Sequence, residues 1–210
     1  MQIYDISQEV FSCAVYPGDP QPIREVKLRI SEGAICNLTA FRMCAHNGTH
    51  VDAPFHFIDG EETIDKVPLD KFIGFAYVAE HDGDITAEVA EQILKEAKNS
   101  VYLGNCKNTT EEAVNEAWER ILVKGDAIMT KEGAEVFAKA GIKLFGNESQ
   151  TVGPLEAPME VHLIMLGAKA VLLEGVRLSE VPVGTYLLNA APINLGGSDG
   201  APCRAVLISL

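Results

Sequence analysis

Between positions 46 and 56 the chain reads His46-Asn47-Gly48-Thr49-His50-Val51-Asp52-Ala53-Pro54-Phe55-His56, placing three of its five histidines beside an aspartate. An ordinary core does not concentrate imidazoles this way, because each buried ring needs a polar partner or a ligand. His46 and His50 are four residues apart and Asp52 is two beyond His50. Side chains alternate along an extended segment, so His50 and Asp52 would share a face and could share a metal ion. Gly48 loosens the backbone midway and Pro54 stiffens the exit. Imidazole nitrogen with carboxylate oxygen suits zinc, manganese or iron. With no regularly spaced cysteine nearby, the pattern points to an open, catalytic site and away from a closed thiolate site.

A chain of 210 residues suits one domain, 1–210, with a sizeable core. At 47% hydrophobic and 22% charged residues it is expected to be folded and soluble, with apolar surface left for an oligomer interface. Seventeen basic against thirty acidic residues give a formal charge of −13, which disfavours nucleic acid and anionic membranes as partners. The five cysteines, Cys13, Cys36, Cys44, Cys106 and Cys203, are odd in number and form no CxxC pair, so a reducing cytoplasm is expected and a disulfide framework is not. Met1 to Ile6 lacks the basic start and apolar run of a signal peptide, and no apolar stretch reaches membrane length.

Strands are expected at Ile3 to Ile6, at Ile23 to Ile30 with one wet face, and at Cys36 to Met43, which leads into the histidine segment. Tyr16-Pro17-Gly18-Asp19-Pro20 is a turn that holds Tyr16 on a rigid corner. Residues 58–70 read as a loop, and Phe72 to Ala79 as a buried strand. Thr86 caps a helix bearing Val89, Ile93, Leu94 and Ala97, and Ser100 to Leu103 is a further strand. Thr110 opens a helix whose apolar face is Val114, Ala117, Trp118 and Ile121, with Trp118 in the core. A strand at Ala127 to Met129, a helix at Lys131 to Ala140 ending at Gly141, and a strand at Ile142 to Phe145 follow. Pro158 starts a short apolar helix through His162 to Gly167, and the buried strand Ala168 to Leu173 delivers Glu174, a carboxylate that needs a partner. Strands at Tyr186 to Ala191 and Arg204 to Leu210 close the chain, joined by a turn-rich segment, 196–202, read as structural. His81 is expected at the surface. Strands alternating with helices give a mixed-sheet α/β domain.

The segment from His46 to His56 resembles the HxGTHxDxPxH signature of the cyclase-like metal hydrolases, a family that includes bacterial kynurenine formamidases and isatin hydrolases. Weaker matches lie at Asp5-Ile6-Ser7, Tyr16-Pro17-Gly18-Asp19, His162, Glu174-Gly175 and Gly197 to Arg204. The resemblance implies a swivelling β/β/α fold, a dimer or tetramer, and one or two metal ions, commonly zinc and sometimes manganese. Its implied ligands are His46, His50, Asp52, His162 and Glu174, with His56 as general acid/base and Tyr16 as a substrate contact. It also implies hydrolysis of a small amide by metal-activated water, aryl formamides leading. Tyr16 stands where the formamidase pattern has Trp, which keeps a ring-opening hydrolase or cyclase in view; a catalytically silent metal-binding relative is a third reading, against which the intact His56 speaks.

Overall fold

The computed structural model describes residues 1–100 and 116–209. In chain order the strands are β1 (Gln2–Asp5), β2 (Ile23–Leu28), β3 (Leu38–Arg42), β4 (His50–Asp52), β5 (Ile73–Glu80), β6 (Gly83–Ile85), β7 (Arg120–Lys124), β8 (Ala127–Met129), β9 (Leu144–Asn147), β10 (Val171–Glu174), β11 (Gly184–Asn189), β12 (Gly200–Pro202) and β13 (Val206–Ser209). The described helices are α1 (Ala87–Asn99), α2 (Lys131–Ala140) and α3 (Met159–Gly167). Nine strands form one sheet in the order β1-β13-β11-β5-β7-β9-β10-β4-β12. Strands β5, β7, β9 and β10 are mutually parallel, while the strands on both flanks run antiparallel to their neighbours.

Tyr4 of β1 and Ala201 of β12, at opposite ends of that sheet, pack into the same apolar cluster as Val78, Leu122, Leu173 and Val51. A sheet whose two end strands share one core must curl around it. The opposite face carries Tyr77, Ile121, Phe145 and Leu172 and is covered by the helices through Ile93, Leu94, Phe137, Met165 and Leu166. Fully buried side chains such as Phe137 and Met165 stabilise each layer by about 1.5–3 kcal/mol apiece. Because Val51 and Leu173 point into the curled core, period-two alternation turns His50, Asp52 and Glu174 toward the helices. That alternation puts ligating side chains on the face where α3 packs.

Local chemistry explains the helix ends. Thr86 accepts a hydrogen bond from Val89 N and Thr130 accepts one from Gly133 N, while α2 stops at Gly141 in the left-handed conformation. Trp118 is half-buried and packs against the margin of the helix-side core, with Lys98 Nζ 4.7 Å from its ring centroid. Ala117–Glu119 is a single 3₁₀ turn, and Ile121 lies in β7, not on a helix. The run Ile121-Leu122-Val123 is buried on both faces, where short apolar strands and helices have the same periodicity. The strand expected at Ser100 to Leu103 and the helix start at Thr110 lie outside the described residues, except for Ser100, which is the C-cap of α1. The hairpin β2–β3 stands apart as a two-stranded sheet, and Ile23, Val26, Leu28, Leu38 and Phe41 are exposed on it. Both of its faces are therefore wet within one chain, where the alternation of β2 predicts only one.

Candidate metal centre

Strand β4 lies between β10 and β12, with Glu174 opposite His50 on one side and Gly200 opposite Asp52 on the other. Helix α3 adds His162 from above. The resulting cluster is closed around Asp52. Its Oδ1 is 2.9 Å from His46 Nδ1 and 3.4 Å from His50 Nε2, and its Oδ2 is 3.6 Å from His162 Nε2. Glu174 completes it, with Oε2 3.4 Å from His50 Nε2 and Oε1 3.2 Å from His162 Nε2. All five side chains predicted as ligands are thus brought together, although 128 positions separate the first from the last.

Three features show that this cluster fits a divalent ion. His50 Nε2 and Asp52 Oδ2 are buried yet make no hydrogen bond to the described residues. Buried polar atoms without partners are costly, which calls for a further partner here. Two atoms bound tetrahedrally at about 2.1 Å to one zinc ion lie about 3.4 Å apart, close to the separations around Asp52 and Glu174. Each histidine also has its other nitrogen occupied: His50 Nδ1 donates to Gly48 O at 3.0 Å, His162 Nδ1 to Pro158 O at 2.8 Å, and His46 Nε2 to Asp199 Oδ2 at 2.8 Å. Such outer hydrogen bonds fix the tautomer that leaves the remaining nitrogen free to ligate. Nitrogen and oxygen donors without thiolate match zinc or manganese chemistry.

His56 stands at the edge of this cluster, not in it. Its ring stacks on His46 with centroids 4.0 Å apart, and its Nδ1 is 3.2 Å from Asp199 Oδ2. Both histidines and the cluster open on a cavity of about 220 Å³ lined by Tyr16, Phe57, Pro158 and Thr151 among others. That is small beside typical ligand sites of roughly 300–1,000 Å³ and suits a small substrate. Tyr16 reaches this wall because Pro17 and Gly18, with φ of +101° at Gly18, make a turn closed by Asp19 N donating to Tyr16 O at 3.0 Å. The Tyr16 hydroxyl donates to Leu155 O at 2.9 Å. A larger groove of about 660 Å³, beside Phe11, Phe41 and Met43, holds none of the five histidines. His81, half-buried, bonds Asp84 O and is not among the residues lining the cavity.

Asp199 was not foreseen. The segment 196–202 reads as a structural turn, but the structure places Gly200–Pro202 as edge strand β12, where Pro202 is tolerated, and puts the Asp199 carboxylate against His46 and His56. Gly200 allows this approach, since a Cβ there would lie 2.8 Å from His46 Cε1. A signal was present: Asp199 is the only acidic side chain after Glu180 in a chain of thirty acids.

Without metal, the site holds charge differently. Burial opposes charge on His46, but hydrogen bonds to Asp199 and Asp52 overcome it and raise its pKa to about 11. Burial likewise opposes charge on the other two, but the nearby Asp52 and Glu174 carboxylates overcome it and raise His162 to about 10 and His50 to about 9. Asp52 is pushed up by burial but held well below the usual carboxylate range by His162, His46 and His50. A histidine pKa raised in the folded state contributes stability that is complete below the unfolded value near 6.5 and lost as pH rises through the folded value. Metal-free protein should therefore lose thermal stability from about pH 6.5 through 9 to 11. Metal-loaded protein, whose ligands are already deprotonated, should hold a flat profile there. Thermal melts across this range with and without chelator test it; a flat metal-free profile contradicts it.

The model of the Cyclase family matches residues 4–154. The chain is 32% identical to the kynurenine formamidase of Salinibacter ruber, covering 99% of this chain and 97% of that one. It is 30% identical to the kynurenine formamidase of Erythrobacter litoralis, covering 100% and 94%. Its fold matches isatin hydrolase A of Labrenzia aggregata, bound to benzyl benzoate, with a TM-score of 0.78 at 19% identity over 100% of this chain and 94% of that one. The family match over 4–154, with relatives shared along their whole length, shows that this chain belongs to the Cyclase family.

Proposed function

We propose that this chain is a metal-dependent hydrolase that cleaves the amide of a small aryl formamide, the chemistry its full-length relatives are named for. The observation that carries this reading is the cluster of three imidazoles and two carboxylates opening on a small cavity walled by the aromatic rings of Tyr16 and Phe57. His46, His50, Asp52, His162 and Glu174 are the proposed ligands of one or two zinc ions, manganese being the alternative. The two oxygens of Asp52 face different histidines, so Asp52 could offer an oxygen alongside any of the three imidazoles. A divalent ion held there would act as a Lewis acid, lowering the pKa of water and polarising the carbonyl. Tyr16 and Phe57 hold the aryl ring. His56, beside the ligands but not among them, takes the proton of the attacking water at Nε2 and returns it to the leaving amine.

Tyr16 keeps a second reading open, ring opening of a cyclic amide, because a tyrosine whose hydroxyl is tied to Leu155 O stands in the cavity wall where the formamidase pattern has Trp. One panel decides between them. Metal-loaded enzyme should turn over an aryl formamide faster than a cyclic amide or lactone, chelator should abolish turnover, and zinc or manganese should restore it. No turnover of any carbonyl substrate would leave only a silent metal-binding protein. We also propose that the exposed apolar hairpin β2–β3 is covered in a homodimer or homotetramer, a mass measurable by light scattering on the same preparation.

A further inference from the structure

The geometry points to Asp199 as the positioning residue of the proposed acid/base His56, an inference that rests on the hydrolase reading above. A single oxygen, Asp199 Oδ2, accepts from His56 Nδ1 at 3.2 Å and from His46 Nε2 at 2.8 Å. The two rings stack at 4.0 Å with 25° between their planes, so one carboxylate oxygen fixes both at once. The backbone that carries the carboxylate is itself anchored. Ser198 Oγ donates to Gly200 O at 2.8 Å, and the Asp199 carbonyl accepts from Ala53 N at 2.9 Å, one residue past β4. Gly200 then pairs with Asp52 in the sheet, so the backbone carrying Asp199 is registered against the strand that carries the ligands.

The consequence is chemical. A neutral imidazole has one protonated nitrogen, and its partner decides which. With Nδ1–H donating to Asp199, the His56 lone pair lies on Nε2, which makes no hydrogen bond to the described residues and is free to accept a proton from water. Without Asp199 the ring can rotate and take the other tautomer, losing both its aim and its accepting atom. Asp199 touches neither water nor substrate in this scheme and acts wholly through the two histidines.

Asp199 is half-exposed, so Asp199→Ala should fold. With metal content matched to wild type, the variant should lose about 10–100-fold in kcat with little change in KM. At metal content matched to wild type, which sets aside its hold on His46, the double variant Asp199→Ala with His56→Ala should be no slower than His56→Ala alone, because the carboxylate has then lost the base it positions. Nitrogen NMR of protein labelled at histidine gives a readout independent of turnover: His56 should carry its proton on Nδ1 in wild type and lose that preference in Asp199→Ala. Wild-type kcat in the variant at equal metal content, fully additive losses in the double variant, or an unchanged His56 tautomer would each overturn the proposal. Failure of the hydrolase reading itself looks different, since wild type would then be inactive while the tautomer measurement still reports on Asp199.

Discussion

Replacing Asp52 by Asn should leave a folded protein that retains little metal and has lost at least about 10³-fold in kcat/KM, equivalent to roughly 4 kcal/mol of transition-state stabilisation. The size of the effect follows from position. Among the described residues, Asp52 is the one carboxylate within 3.6 Å of all three clustered imidazoles, at 2.9 Å from His46, 3.4 Å from His50 and 3.6 Å from His162. Asn keeps the volume of a fully buried side chain, so the sheet and α3 need not repack. It removes the charge that offsets a divalent ion and the second anionic oxygen that faces His162. Elemental analysis of purified protein, read beside kcat/KM at saturating metal, separates lost affinity from lost chemistry. A variant with stoichiometric metal and wild-type activity would show that Asp52 is not the centre of the site.

His56→Ala should behave in the opposite way, keeping its metal and losing about 10²–10⁴-fold in kcat, the usual contribution of a positioned acid/base group. Its ring touches His46, Phe57 and Asp199, while the Asp52 and Glu174 oxygens are held by the other three imidazoles. Removing it therefore spares the ligands. The loss should lie in kcat, with KM little altered, because binding of the aryl ring is assigned to Tyr16 and Phe57. Unchanged kcat would transfer the role of base to another group and undo the assignment.

The pair of variants also measures how far the residues themselves reveal the site. His46, His50, Asp52 and His56 are legible because ligand chemistry is packed into eleven consecutive positions, and period-two alternation already placed His50 and Asp52 on one face. His162 and Glu174 carry no such local signal. On an apolar helix a histidine is more often a satisfied core residue, and only resemblance to a family singled it out. The structure supplies the missing link, a sheet in which β10 and α3 converge on β4. Asp199 was lost for a different reason, since an aspartate between Ser198 and Gly200 has the composition of an ordinary turn. The same ambiguity hid β7, whose Ile121 falls at helical spacing after Ala117 and Trp118, while β6 and β12, at three residues each, are too short to show a period.

Strand β4 is held between two strands that both come later in the chain, and this orders events during synthesis. The histidine segment leaves the ribosome early, but its neighbours β10 and β12 do not yet exist. The roughly 150 residues from Asp52 to Pro202 take on the order of 10–30 s to translate. Until then His46, His50 and Asp52 lack the full set of Glu174 and Asp199 to meet, and the cluster cannot close. A metal ion held there would thus be received by a chain already made through β12. It would be cargo for a nearly finished fold, unlike the ion of a zinc finger, around which the chain itself must condense.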